Sequence, residues 1–240
     1  MANDYFQFKQ FLVKQDKCAM KVCTDACLFG AFAANHLPLT AHRLLDIGTG
    51  TGLLSLMYAQ KKFHVIIDAV EIDKAAAEQA KENFKISPWK ERLNVYNISI
   101  QQFANSIRTK YDVIFCNPPF FENDLKSENQ KRNLALHSDA LSLEELISIV
   151  DSLLEKDGSF FCLIPFHRTK YFEELIVKNK LCVKEKIFIK QTLKHNYFRS
   201  MFWVDRVSKT FAQSKIIIMD EKNEYNKGFR ELLGEYYWGL

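Results

Sequence analysis

The chain has no stretch of about 18 consecutive apolar residues, so a membrane-spanning helix is not expected. Its start, Met1-Ala2-Asn3-Asp4-Tyr5, has neither the basic lead nor the apolar core of a secretory signal, and a soluble cytoplasmic protein is the expectation. Internal repeats and low-complexity tracts are lacking too. The six cysteines, at 18, 23, 27, 116, 162 and 182, include no Cys-x-x-Cys pair. The cluster of Cys18, Cys23 and Cys27 has no second half with which to close a zinc set, so no metal is expected. Reduced, buried thiols of a cytoplasmic protein account for these residues better.

What is present belongs to a folded globular chain. The 240 residues are 48% hydrophobic and 26% charged, enough for one large α/β domain or two small ones. The net charge is only +4, but it is unevenly spread. Between His167 and Lys209 eleven Lys and Arg stand against four acids. Such a run is either a solvated face or a surface that meets phosphates.

The middle of the chain alternates short apolar runs with longer helical patterns, as βα units around a parallel sheet do. Strands are expected at 43–47, 65–72, 93–98, 111–116 and 160–164. A helix should start over 53–60, and another should fill 73–84 with Asp73 as its cap. Ser142-Leu143-Glu144-Glu145 reads as a capping box opening a helix that stops at Asp157-Gly158. After a helical stretch at 171–179, β-rich runs at 182–191, 200–207 and 215–219 follow with short connections, which predicts antiparallel pairing at that end of the sheet.

Asp46-Ile47-Gly48-Thr49-Gly50-Thr51-Gly52 lies between a predicted strand and a predicted helix. Glycines there let backbone approach a ligand, and a helix start offers unpaired N–H groups to an anion. The third glycine comes one residue early for a dinucleotide fingerprint, and no Lys-Ser/Thr follows as a P-loop needs. The Asp-x-Gly-x-Gly-x-Gly form resembles the first motif of Rossmann-like methyltransferases, where the loop wraps the amino-acid part of S-adenosylmethionine. Glu71, with Ile72 beside it, ends the second strand 19 residues after Gly52. An acid at that place can accept hydrogen bonds from both ribose hydroxyls.

Asn117-Pro118-Pro119-Phe120 follows the fourth strand, at the carboxyl end of a parallel sheet, where open α/β folds bind ligands. An aromatic amine is a poor nucleophile because its lone pair is delocalised into the ring. The Asn117 side-chain oxygen and the Pro118 carbonyl, aimed at the NH₂ hydrogens, would favour a more nucleophilic nitrogen. Proline holds these acceptors in place beforehand, and Phe120 offers a ring on which a planar substrate can stack. The tetrapeptide resembles the Asn/Asp-Pro-Pro-Tyr/Phe motif of amine methyltransferases. By itself it allows adenine, cytosine, guanine or a glutamine amide.

Further residues narrow the amine. Phe8-Lys9-Gln10-Phe11 and Cys18-Ala19-Met20-Lys21-Val22-Cys23-Thr24-Asp25 resemble the opening of the bacterial valine-tRNA adenine-37 methyltransferase family, as do Ser87-Pro88-Trp89 and Ile100-Gln101-Gln102. The resemblance runs from about residue 6 to residue 140, with a weaker echo at Asn223-Glu224-Tyr225 and the aromatic tail. It implies a Rossmann-like class I methyltransferase: a three-layer α/β sandwich with a mostly parallel sheet and antiparallel C-terminal strands. It also implies S-adenosylmethionine as cofactor, the anticodon loop of tRNA as partner, and methylation of the exocyclic amine of adenine 37. A loop adenine needs less unstacking than one in a duplex. Lys21, Thr24 and Asp25 would belong to the segment covering the cofactor, although Thr24-Asp25 also suits a plain helix cap. Asp46, Gly48, Gly50, Gly52, Glu71, Ile72, Ser99 and Asn117 complete the implied cofactor set.

Two positions depart from the family pattern. Ser99 stands where many relatives carry an acid for the cofactor's adenine amine, and Phe120 stands where tyrosine is usual. The polar segment 122–137 reads as a lid in which Lys126, Lys131 and Arg132 bind the substrate, Lys131 and Arg132 through its phosphates, while His137 is as readily functional as structural. The domain reading is a single methyltransferase domain: a cofactor-covering extension over 1–42, a core over 43–165, and basic C-terminal strands and tail over 166–240. A monomer is favoured. An rRNA amine methyltransferase and a release-factor glutamine methyltransferase are the enzymatic alternatives, and an RNA-binding protein that retains the fold without catalysis is the other. Release-factor enzymes carry a sizeable helical domain before the glycine loop, where this chain has only about 45 residues that match the other family.

Overall fold

The computed structural model describes residues 3–36, 40–118 and 141–240. A short antiparallel hairpin, β1 (Tyr5–Gln7) and β2 (Leu12–Lys14), opens the chain. Helix α1 (Thr24–Asn35) follows, buried around its whole circumference from Asp25 to Ala34, so it lies inside the protein rather than on its surface. The predicted βα rhythm then appears as β3 (Arg43–Ile47), α2 (Leu53–Lys61), β4 (Ile66–Val70), α3 (Lys74–Ile86), β5 (Leu93–Tyr96), α4 (Ile100–Ser106) and β6 (Tyr111–Cys116). After residue 140 come α5 (Leu143–Leu153), β7 (Leu154–Pro165), α6 (Thr169–Lys178), β8 (Cys182–Lys190), β9 (Arg199–Asp205), β10 (Ala212–Ile217) and α7 (Lys227–Leu233).

Among the described residues, eight strands form one sheet in the order β10-β8-β9-β7-β6-β3-β4-β5. From β7 to β5 all neighbours are parallel. Strand β9 is antiparallel to both β7 and β8. The expected antiparallel end therefore exists, with one correction: β10 runs parallel to β8. Strand β9 finishes beside Cys182, where β8 begins, so residues 206–211 return the chain to the outer edge of β8 at that same end, and it can only travel with β8.

Alternation along the strands feeds two cores. Val113 and Phe115 enter one with α1, α2 and α7, while Ile114 and Cys116 enter the other with α5 and α6. That is the three-layer arrangement expected. Local signals held at several helix ends. Asp73 caps α3 by accepting from Ala76 N at 2.8 Å. At α5, Ser142 and Glu145 form both halves of the capping box. The stop expected at Asp157-Gly158 is overridden: α5 ends at Leu153, and Leu154 is buried beside its partner Tyr111. Burying Leu154 against the second core outweighs the Asp-Gly preference, and a register shift between Tyr111 and Val113 absorbs the mismatch.

The two ends of the chain are zipped together. Lys9 N and Nζ donate to the carbonyls of Tyr236 (2.8 Å) and Gly234 (2.6 Å), and Trp238 Nε1 donates to Phe8 O (3.3 Å). On its other side the hairpin is tied to α3, where Asn83 pairs with both backbone groups of Lys14 and Gln79 accepts from Lys17 N. These ties carry residues 18–20 over the carboxyl edge of the sheet.

Candidate functional site

A cavity of about 400 Å³ opens at the carboxyl ends of β3, β4, β5 and β6. Its wall includes Gly48 and Gly50 after β3, Glu71 and Ile72 after β4, Ser99 and Gln101 after β5, and Asn117 and Pro118 after β6. Cys18, Ala19 and Met20 close it from the N-terminal segment.

The glycine loop is held from two directions. Gly48 N and Thr49 N donate to Val70 O, at 2.9 and 3.2 Å. Beneath it, the wholly buried Asp46 accepts from Thr49 Oγ1 and Ser55 Oγ through one oxygen, each at 2.7 Å. Burial pushes the Asp46 carboxyl above the usual carboxylate range, against the opposing pull of those two hydroxyls. Gly52, at φ +84°, caps α2 in a left-handed conformation, and a Cβ there would lie 2.5 Å from Phe84 Cε1. Glycine is thus required at this position by both backbone and neighbour.

Glu71, 9% exposed, is fixed by backbone on both oxygens. Oε2 accepts from Gly50 N and Oε1 from Asp73 N, each at 2.9 Å. A carboxylate oxygen has a further lone pair, so both can still accept from a ligand's hydroxyls. Asn97 Nδ2 braces the turn by donating to the carbonyls of Glu71 and Ile72. Ile72 itself is 56% exposed, an apolar side chain at the cavity wall. Asn117 Oδ1 is buried and, among the described residues, has no hydrogen-bond partner. Buried acceptors are nearly always satisfied, so an orphan on a cavity wall marks a place where a ligand's donor fits.

The structure brings together Gly48, Gly50, Glu71, Ile72, Ser99, Asn117 and Pro118, all named from sequence. It does not bring Lys21, Thr24, Asp46 or Gly52 to the cavity wall. Lys21 Nζ donates to Asn3 O at 3.3 Å. Thr24 is the first residue of α1, whose cap is Cys23 with no side-chain bond, so Thr24-Asp25 is not the cap; Asp25 instead pairs with Arg199 Nε at 2.8 Å. Asp46 and Gly52 shape the loop from below and behind. Ser99 spends its hydroxyl on the capping box of α4, accepting from Gln102 N at 3.2 Å. Pro119, Phe120, Lys126, Lys131, Arg132 and His137 lie outside the described residues. Cys18, Ala19, Met20, Asp73 and Gln101 line the cavity without having been expected there from sequence; for all but Asp73 the Cys18–Asp25 and Ile100-Gln101-Gln102 blocks were the available signal.

The basic 167–209 run is partly neutralised. Lys186 pairs with Glu173, Arg199 with Asp25 and Arg206 with Asp151. Among the described residues no helix is long and apolar enough to cross a membrane, and no group of three or more His, Cys, Asp or Glu is placed to hold a metal ion.

A mostly parallel sheet with a glycine loop, an acid after the next strand and Asn-Pro after the fourth defines a Rossmann-like methyltransferase. Residues 30–175 match the methyltransferase small domain family. A crystal structure described as a predicted O-methyltransferase from Agrobacterium tumefaciens superposes with a TM-score of 0.68, covering 87% of this chain and 95% of that one at 12% identity. The chain belongs to the tRNA1(Val) (adenine(37)-N6)-methyltransferase family. It is 41% identical to the protein of that name from Cytophaga hutchinsonii, with 100% of each chain covered. The namesake from Dyadobacter fermentans is also 41% identical, with 98% of each covered.

Proposed function

We propose that this protein transfers a methyl group from S-adenosylmethionine to the exocyclic 6-amino group of adenine 37 in the anticodon loop of valine tRNA. The observation that carries the reading is the buried Asn117 Oδ1, without a partner among the described residues, on a cavity wall beside Pro118, in a chain of this family. The residues fit the donor as well. Glu71 has acceptor capacity for the ribose hydroxyls, Gly48 and Gly50 leave room for the amino-acid part, and Ile72 offers an apolar surface to the adenine.

When bound, S-adenosylmethionine supplies an electrophilic methyl group. The chain's own task is to present the amine. Asn117 Oδ1 and the Pro118 carbonyl accept the NH₂ hydrogens, which turns the nitrogen lone pair toward the donor. Proline holds both acceptors before the substrate arrives, so little reorganisation is left to the reaction, and alignment supplies most of the acceleration. No strong base is needed, because the nitrogen becomes strongly acidic once it carries the methyl group and gives up its extra proton to water. Pro119 and Phe120 complete the tetrapeptide as an expectation from sequence, as do Lys126, Lys131 and Arg132 for substrate binding. In this reading 43–165 is the cofactor core, 1–42 covers it and 166–240 meets RNA, all within one cytoplasmic enzyme.

The experiment is to incubate the purified protein with labelled S-adenosylmethionine and with tRNA or rRNA from a strain lacking the gene. Label in methyladenosine beside a valine anticodon is expected. Label in rRNA alone would overturn the substrate, and label in neither RNA would overturn the activity.

A further inference from the structure

We propose that Phe166, Phe188 and Tyr197 form a stacking platform for an unpaired RNA base near the one being methylated. This deepens the tRNA reading and rests on it. The three rings touch one another, with centroids 5.2 Å apart for Phe166–Phe188, 5.2 Å for Phe166–Tyr197 and 5.3 Å for Phe188–Tyr197. All three are only half-buried, and they belong to neither apolar core. Ile187 and Ile189, on either side of Phe188, point into the first core, so Phe188 stands on the opposite face of β8.

Their position is the second observation. Phe166 follows β7 at the carboxyl edge, and its N–H donates to Phe198 O at 3.1 Å. Tyr197 lies in the loop joining β8 to β9 at that same edge. Strand β7 neighbours β6, whose end leads to Asn117, and Cys116 pairs with Cys162, three residues before Pro165. The platform therefore rises about 10 Å beyond the level of Cys116, at 3.3 Å per residue, along strands one to three places from the Asn117 loop.

Charge complementarity identifies the occupant. Lys190 Nζ lies 5.2 Å from the Tyr197 ring centroid, and Lys186 Nζ lies 5.1 Å from that of Phe188. Lys194 and His195 are exposed on the same loop, and residues 190–198 contain no acid. Lys186 is itself buried and paired with Glu173, so Lys190 and Lys194 are the cations left to meet phosphates. Aromatic faces interleaved with cations bind a base by stacking while the cations meet its phosphates. At this edge the base is a neighbour of the target in a single-stranded loop, where bases can be splayed apart.

The proposal is tested with unmodified valine-tRNA transcript and a version carrying 2-aminopurine at a loop position beside adenine 37. Tyr197→Ala should raise the KM for transcript about tenfold, while the affinity for S-adenosylhomocysteine stays unchanged. Tyr197→Phe should restore the wild-type KM, since stacking needs the ring and not the hydroxyl. The 2-aminopurine fluorescence should be quenched on binding to wild-type protein and less so with Tyr197→Ala. Lys190→Ala should lower the salt slope of binding by about one unit. A wild-type KM and quench in Tyr197→Ala, or a defect in Tyr197→Phe equal to that in Tyr197→Ala, would overturn the platform. Failure of wild-type protein to methylate the transcript would instead overturn the tRNA reading.

Discussion

The sheet's two halves, meeting at β6, offer different chemistry at the same edge. On the β3-β4-β5 side the polar groups are backbone N–H groups and carboxylates already locked to one another: Asp46 under the glycine loop and Glu71 between Gly50 and Asp73. On the β7-β9-β8 side they are lysines and half-exposed rings around the loop that ends at Tyr197. A small ligand of constant shape rewards rigid, buried partners, because no order has to be created on binding. A polyanion with movable bases rewards exposed cations and flat faces, which bind through charge and stacking without fixed geometry. Asn117 stands at the seam, where the two ligands would meet.

The sharpest break in this comparison is Asn117→Ala, which removes the seam and spares both halves. Turnover should fall roughly a hundred- to a thousandfold, the loss seen when one preorganised polar partner is deleted. Affinity for S-adenosylhomocysteine by calorimetry should stay within about threefold, and wild-type turnover would refute the proposed chemistry. Glu71→Ala strikes the cofactor half alone. A lost pair of charge-assisted hydrogen bonds should weaken cofactor binding roughly ten- to a hundredfold. Unchanged affinity by calorimetry would remove Glu71 from the ribose role.

Salt should separate the halves without mutation. Between about 50 and 200 mM salt, filter-binding affinity for tRNA should drop at least about tenfold, as a few phosphate contacts give, while cofactor affinity barely moves. Parallel losses for both ligands would mean that the division of labour is wrong. The smallest effect concerns Asp46. Because burial raises its pKa in the folded state, the folded chain holds that proton more tightly than the unfolded chain does. Ionising it therefore costs stability as pH rises through the acid range. Asp46→Asn has no such proton, so its stability relative to wild type should improve from about pH 4 to about pH 7. Urea midpoints at the two pH values check this, and a gap moving the other way would contradict the buried-carboxylate account.

Where a feature depends on neighbouring residues it was legible beforehand. Strands Arg43–Ile47 and Tyr111–Cys116, the Asp73 cap and the Ser142–Glu145 box all follow from patterns a few residues long. Gly48, Glu71 and Asn117 were legible for the same reason, since each is placed by the strand directly before it. The hairpin Tyr5–Lys14 and the lining by Cys18, Ala19 and Met20 were not. They depend on Asn83, Gln79 and the tail at Gly234–Trp238, partners far off in the sequence. Within the segment expected to cover the cofactor, Cys18, Ala19 and Met20 line the cavity, while Lys21 and Thr24 are not on its wall. Ser99 caps α4 through its hydroxyl oxygen while remaining on the cavity wall, a double placement that the sequence reading did not include.

Composition, periodicity and motif spacing thus determined the βα order and the two loops that matter, because strand, turn and cap preferences are local properties of the chain, while the family came from the resemblance of particular residue blocks. Tertiary structure decided which residues of the basic run stand at the carboxyl edge of the sheet, how β10 returns beside β8, and which residues roof the cavity. Those choices turn on burial and on hydrogen bonds between segments far apart in sequence, whose energies exist only once the chain has closed on itself.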